Sequence, residues 1–237
     1  LSPASPNPVQ HPEVQLFLRG VARRLGKQVE KAEPCTEEHL RALSRRALMS
    51  LDNIELQTTS LIALLAFWGC LRLGTLIPKR PENALHVLTL GDLEARGTSL
   101  LITVRHSKTN QFKERQHIIE LPAQADPLLC PLRALIRWTS LLPHRSSQTT
   151  LCTLSTTSRM QLSHSKFLDI LNRAIAPLPP LTGHSFRRGF VRLAFIRGVP
   201  IWQVMLHGDW KTLEVALSYA EDALIPNPLG GLSGLLL

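Results

Sequence analysis

Tyrosine is nearly absent from this chain: Tyr219 is the single one in 237 residues, and all aromatics together make up 5%. The four cysteines, Cys35, Cys70, Cys130 and Cys152, are far apart and form no CxxC pair, which argues against a zinc site or a disulfide framework. Reduced thiols in an intracellular protein are the simpler expectation. Long apolar runs are missing as well. The stretch from Leu61 to Cys70 is too short to span a bilayer, no secretory leader is visible, and no internal repeat occurs. Acids are scarce beside bases, 18 Asp and Glu against 27 Lys and Arg, a formal charge of +9. Such a surplus suits a polyanion, because neutralising phosphates releases their counterions. The chain opens on Leu1 rather than Met, so a piece of a longer protein is expected.

Punctuation and periodicity divide what is present. Pro3, Pro6, Pro8 and Pro12 mark an extended linker. Residues 13–31 have helical spacing with basic residues on the outer faces. Together 1–33 read as a linker and basic helix, the end of an N-terminal DNA-binding domain. Thr36 with Glu37 and Glu38 starts a helix that runs to about Leu51. Thr58 to Gly69 reads as a buried helix and Leu71 to Ile77 as a short second one, stopped by Pro78. The period then changes to that of strands at His86–Leu90, Ser99–Arg105 and Gln116–Leu121, with turns at Gly97 and at Ser107–Lys113. Helices return at Pro131–Leu142, Ser163–Ala176, Ser185–Arg197, Pro200–Leu206 and Leu213–Asp222. The expected fold is mainly α with a small antiparallel three-stranded β-sheet (α+β). The tail, 226–237, is broken by Pro and Gly and ends in three leucines.

The chemistry concentrates between Gly183 and Tyr219. His184 and Arg187 stand one helical turn apart in GHSFRR, so they share a helix face. Arg188 points about 100° away. A helix start attracts phosphate through its free amides. Trp210 brings an indole N–H, a donor only, with Lys211 beside it. Arg72 stands alone in an apolar stretch, where burial is costly without a partner. Lys108 and Lys113 compete for the tip of the hairpin, with Arg115 close by. Taken singly, each has an ordinary structural explanation: a snorkelling arginine, a solvated turn lysine, a capping histidine, a packed tryptophan, a core tyrosine. Cleaving a phosphodiester through a phenol would use them together. The nucleophile must lose its proton, fixed cations must meet charge on the non-bridging oxygens, and the leaving oxygen needs a general acid.

The order Arg72, Lys108, His184-x-x-Arg187, Trp210, Tyr219 resembles the catalytic signature of tyrosine recombinases, the phage-type integrases. GCLRLGTLIP, SKTNQF, LCPLRAL, GHSFRRG and GDWKTLEVALSYAE are most similar to recombinases of eukaryotic mobile elements, the Crypton, DIRS and Ngaro groups. The similarity extends over about residues 34–225, which would be the catalytic domain, in the tyrosine recombinase catalytic-domain fold. It implies that Tyr219 attacks the scissile phosphate and forms a 3′-phosphotyrosine. Arg72 and Arg187 would hold the phosphate oxygens, Lys108 would protonate the 5′ oxygen, and His184 would assist. Trp210 would stand where many relatives carry a second histidine. Lys113, Arg115, Arg188 and Lys211 would contact DNA. The resemblance further implies double-stranded DNA (element ends and target site) as partner, assembly of four protomers on it, a nuclear location, and no cofactor, metal or membrane. Prokaryotic relatives carry an acidic residue three positions after the first arginine; Thr75 stands there in this sequence. Two other functions share parts of this pattern: a type IB topoisomerase-like DNA relaxing enzyme, and a domesticated transposon-derived DNA-binding module without catalysis.

Overall fold

Thr36 begins the first helix as its sequence suggests. Its hydroxyl accepts from the His39 amide at 3.4 Å while its own amide donates to His39 Nδ1 at 3.2 Å, a reciprocal cap. The computed structural model describes residues 32–79, 86–105 and 116–224, with side chains as far as Tyr219. The linker and basic helix expected in 1–31, the hairpin tip with Lys108, Lys113 and Arg115, and the tail beyond residue 224 lie outside the described residues.

Helix α1 spans Glu37–Leu48, with acids in its first turn and Arg45 and Arg46 in its last, as the helix dipole favours. Helix α2, Ile54–Trp68, starts earlier than its apolar run implies because Asn53 caps the Leu56 amide at 3.0 Å. From Gln57 onward every residue of α2 is buried, the mark of a helix surrounded by protein. Its polar side chains are satisfied within the core. Gln57 donates to Ala47 O at 2.6 Å, and Thr58 donates to Ile54 O and accepts from the Trp138 indole at 2.9 Å. A one-turn helix, α3, follows at Leu73–Leu76.

The sheet has the order β1-β2-β3 and is antiparallel: β1 is Leu93–Arg96, β2 Ser99–Val104 and β3 His117–Pro122. Leu100, Ile102 and Val104 of β2 and Ile119 and Leu121 of β3 are buried, in period 2. Gly97, at φ +54°, makes the β1–β2 turn. The strand expected at 86–90 is displaced. Val87 and Leu88 are buried in a docked loop, where Leu88 N donates to Thr75 O at 2.9 Å and Leu88 O accepts from Leu151 N at 3.1 Å. These long-range partners replace a ladder, and a 3₁₀ turn at Leu90–Asp92 delays the strand.

Five helices complete the described chain: α4 Pro131–Ser140, α5 His164–Ile175, α6 Ser185–Ile196, α7 Ile201–His207 and α8 Leu213–Leu224. α1, α4, α5 and α6 pack around α2. A second, smaller apolar cluster joins Cys70, Val191, Ala194, Val204, Trp210 and Ala216, with Tyr219 packed against it. Among the described residues no helix is long and apolar enough to cross a membrane.

Gly189 on α6 is where the segment before α1 crosses. A Cβ there would lie 1.9 Å from Cys35 O, beside the bond from Cys35 N to Ser185 O at 2.9 Å. Backbone on both sides leaves little to yield, so Gly189→Ala is expected to destabilise by about 3 kcal/mol, read as a lower urea midpoint at unchanged m-value.

Candidate active site

The site is built on two helix ends that stop in the same way. After α2, Cys70 N donates to Phe67 O and Leu71 N to Ala66 O, both at 3.0 Å, with Cys70 at φ +48°. After α7, Asp209 N donates to Leu206 O at 3.4 Å and Trp210 N to Met205 O at 3.0 Å, with Asp209 at φ +52°. Each is a Schellman cap whose left-handed position holds a residue other than glycine. The two caps deliver carbonyls to one guanidinium. Arg187 Nη1 donates to Cys70 O at 2.6 Å and Nη2 to Gly208 O at 2.9 Å. Arg187 is only 3% exposed. The negative ends of two helices therefore stabilise a buried cation.

Trp210 and Tyr219 lie on the same guanidinium. Arg187 Cζ stands 4.3 Å from the Trp210 ring centroid and 5.8 Å from that of Tyr219, and the two rings are 5.4 Å apart at 47°. This is cation–π distance for both. The buried Trp210 indole N–H and the Arg187 Nε–H have no hydrogen-bond partner among the described residues. Such orphaned donors are uncommon in a settled core and call for an explanation.

Arg72 caps α3 in extended backbone, two residues past the Cys70 turn. It lines one cleft with Thr75, His117, Arg187, His207 and Asp209. Half-burial lowers its pKa first, and the Arg187 charge lowers it further; Tyr219, Asp209 and Cys70 act in the opposite direction. Two guanidiniums thus share a cleft. Their repulsion is a standing cost that an incoming anion removes.

Two histidines brace the cleft. His207 Nε2–H donates to Trp68 O at 2.7 Å and its ring stacks on Phe190 with centroids 4.7 Å apart. His117 Nε2–H donates to His207 O at 3.0 Å, tying β3 to α7. Burial lowers the His207 pKa, aided by the charges of His117 and Arg187; the bond to Trp68 O opposes this. A folded-state imidazole pKa below its unfolded value means that the unfolded chain binds more protons in acid. Stability from His207 is present above the ordinary imidazole pKa of about 6.5 and is lost as pH falls through and below it. Thermal melts between pH 8 and pH 5 are expected to show this decline, flattened in His207→Asn.

The structure brings Arg72, Arg187, Trp210 and Tyr219 together. His184 stands at the N-terminal end of α6, exposed, with no side-chain bond to the helix end. Arg188 is 7% exposed, and Lys211 is exposed. Lys108, Lys113 and Arg115 belong to the hairpin tip outside the described residues. The sequence does not mark His117, Asp209 or the carbonyls of Cys70 and Gly208 as site groups, and the spacing of His207 to Tyr219 is too long for it to take the place of Trp210. The carbonyls carry no side-chain signature. Asp209 did carry one, as a charged residue between Gly208 and Trp210 in a stretch already marked for chemistry. Among the described residues no cluster of His, Cys, Asp and Glu is arranged to hold a metal ion.

No protein-family model and no curated protein matches the sequence. Solved structures do. The site-specific recombinase XerH bound to a palindromic difH substrate, a post-cleavage complex, aligns with TM-score 0.52 and 15% identity over 81% of this chain and 50% of that one. XerH in a pre-cleavage complex with difH aligns with TM-score 0.51 and 15% identity, over 89% of this chain and 62% of that one. XerA recombinase aligns with TM-score 0.52 and 15% identity, covering 89% of this chain and 70% of that one. This chain thus spans about half to two thirds of the XerH chains. The mainly helical fold with a small antiparallel sheet, expected of a tyrosine recombinase catalytic domain, is shared with these recombinases.

Proposed function

We propose that this chain is the catalytic domain of a site-specific tyrosine recombinase that cleaves and rejoins DNA through Tyr219. The observation that carries the reading is the meeting of four groups at Arg187: Arg72 shares its cleft, and the Trp210 and Tyr219 rings lie against its guanidinium. A guanidinium has five N–H donors. Arg187 uses one on Cys70 O and one on Gly208 O, which leaves three for phosphate oxygens. In the proposed step the Tyr219 oxygen bonds to phosphorus, the bond from phosphorus to the 5′ oxygen breaks, and a 3′-phosphotyrosine results. The phenolic proton passes toward His184, and Lys108 supplies a proton to the 5′ oxygen. Arg72 and Arg187 stabilise the charge on the non-bridging oxygens. The ester conserves the energy of the broken bond, so rejoining is the reverse reaction and needs no cofactor.

The finer reading is a recombinase of a eukaryotic mobile element, of the Crypton, DIRS or Ngaro kind. It would act in the nucleus on element ends and target DNA, as four protomers. Its support is the sequence signature described above together with the net charge of +9.

The test is a nicked suicide substrate carrying the DNA that flanks the protein's own coding sequence. A covalent protein–DNA adduct on a denaturing gel, formed equally in EDTA, is the expected result. Exchange between two substrates is expected as product. Relaxation of supercoiled plasmid without exchange would instead establish a topoisomerase, and salt-sensitive binding without adduct a DNA-binding module.

A further inference from the structure

Asp209 occupies a backbone position that glycine fills at lower cost. Three helices of the described chain end in the same cap. After α6 the left-handed position is Gly198, at φ +71°, with Gly198 N donating to Phe195 O and Val199 N to Ala194 O, both at 2.9 Å. After α7 the equivalent residue is Asp209, at φ +52°. Left-handed backbone costs an ordinary residue roughly 1–2 kcal/mol, and somewhat less for aspartate. Strain of this kind, kept where a glycine would serve, points to a use for the side chain.

The side chain is placed for one. Asp209 is 8% exposed, yet it lines the cleft with Arg72, Arg187 and Thr75. The turn that carries it has little freedom, since a Cβ on Gly208 would fall 2.1 Å from the Trp210 ring. Thr75, three residues after Arg72, offers a hydroxyl and no charge. Two cations in this cleft need an anion to set their positions before substrate arrives, and Arg187 has its direction from two carbonyls. Arg72 has no such pair of carbonyls among the described residues.

We propose that Asp209 is a positioning residue, its carboxylate supplying the negative charge that orients Arg72 beside Arg187 in the cleft. The proposal rests on the recombinase reading for its consequence, but the Asp209–Arg72 coupling can be measured without it. The favourable effect of Asp209 on the protonated Arg72 is in accord. A carboxylate next to the phosphate site opposes binding of DNA, so its retention makes sense only if it improves the alignment of the arginines.

Two variants and one cycle test this. D209G relieves the backbone and removes the charge; D209N keeps the shape and removes the charge. Both are expected to form adduct about 10–100-fold more slowly, with DNA affinity equal to or above that of the wild type. D209G is expected to melt at or above the wild-type temperature. Adduct rates within twofold of wild type in both variants would overturn the proposal. So would a fall matched by lost DNA affinity or lost folded protein, because a structural turn residue would give that result. Should the wild type form no adduct, the recombinase reading fails, and the coupling is decided by unfolding constants of wild type, D209N, Arg72→Met and the double variant. A departure from additivity of fivefold or more supports the Asp209–Arg72 coupling, and additive effects overturn it.

Discussion

Tyr219→Phe is expected to abolish the covalent adduct, a loss of at least about 10³-fold in rate, and to leave the fold in place. The phenol oxygen is the atom that would bond to phosphorus, and phenylalanine differs by that atom alone. The ring keeps its packing against Trp210, 5.4 Å away, and its place beside the second apolar cluster. Stability should change by less than about 1 kcal/mol, the ordinary worth of one hydroxyl hydrogen bond. Composition sharpens the test: no other tyrosine exists in the 237 residues. Within these residues no second phenol can take over, and a second copy of this chain would again offer Tyr219. Adduct formation is read on denaturing gels and folding by circular dichroism melts. An adduct of wild-type size and rate in Tyr219→Phe would remove the nucleophile assignment.

What the sequence reveals of this molecule follows the range of the interactions involved. Local devices are legible. Thr36, Ser163 and Pro131 start α1, α5 and α4 where their residue types say. Enrichment in Val, Ile, Leu and Thr marks β2 and β3, Ser99–Val104 and His117–Pro122. Val87 and Leu88 misled because an apolar pair satisfies a buried loop as well as a strand; the deciding partners, Thr75 and Leu151, are distant in sequence. The same division holds at the site. Arg72, Arg187, Trp210 and Tyr219 announce themselves by their order and spacing, Tyr219 also as the single tyrosine. The carbonyls that hold Arg187 do not, since every residue has one. Their delivery depends on two left-handed turns at Cys70 and Asp209, positions where a sequence reader looks for glycine. Helical spacing put His184 and Arg187 on one face, yet His184 stands at the helix end in solvent while Arg187 is enclosed by the caps that follow α2 and α7.

That enclosure makes Arg187→Lys the more severe of the two charge-preserving changes that the cleft permits. Lysine keeps the positive charge but has a single ammonium on a flexible stem, without the planar fork. It can reach Cys70 O or Gly208 O, where arginine bonds both at 2.6 and 2.9 Å. Stranding one buried carbonyl costs about 1–3 kcal/mol, and the stacking of a flat cation 4.3 Å over Trp210 is lost as well. A destabilisation of about 2–3 kcal/mol is therefore expected in urea. The adduct rate is expected to fall further than stability alone accounts for, by about 10²–10³-fold, because the donors left for phosphate no longer point in fixed directions. Arg72→Lys lacks this double anchoring and should unfold at nearly the wild-type urea concentration while also cleaving slowly. Rates are compared at a temperature where every variant is folded. An Arg187→Lys protein that is stable and cleaves at the wild-type rate would show that the two helix ends hold a structural cation, with the phosphate bound elsewhere.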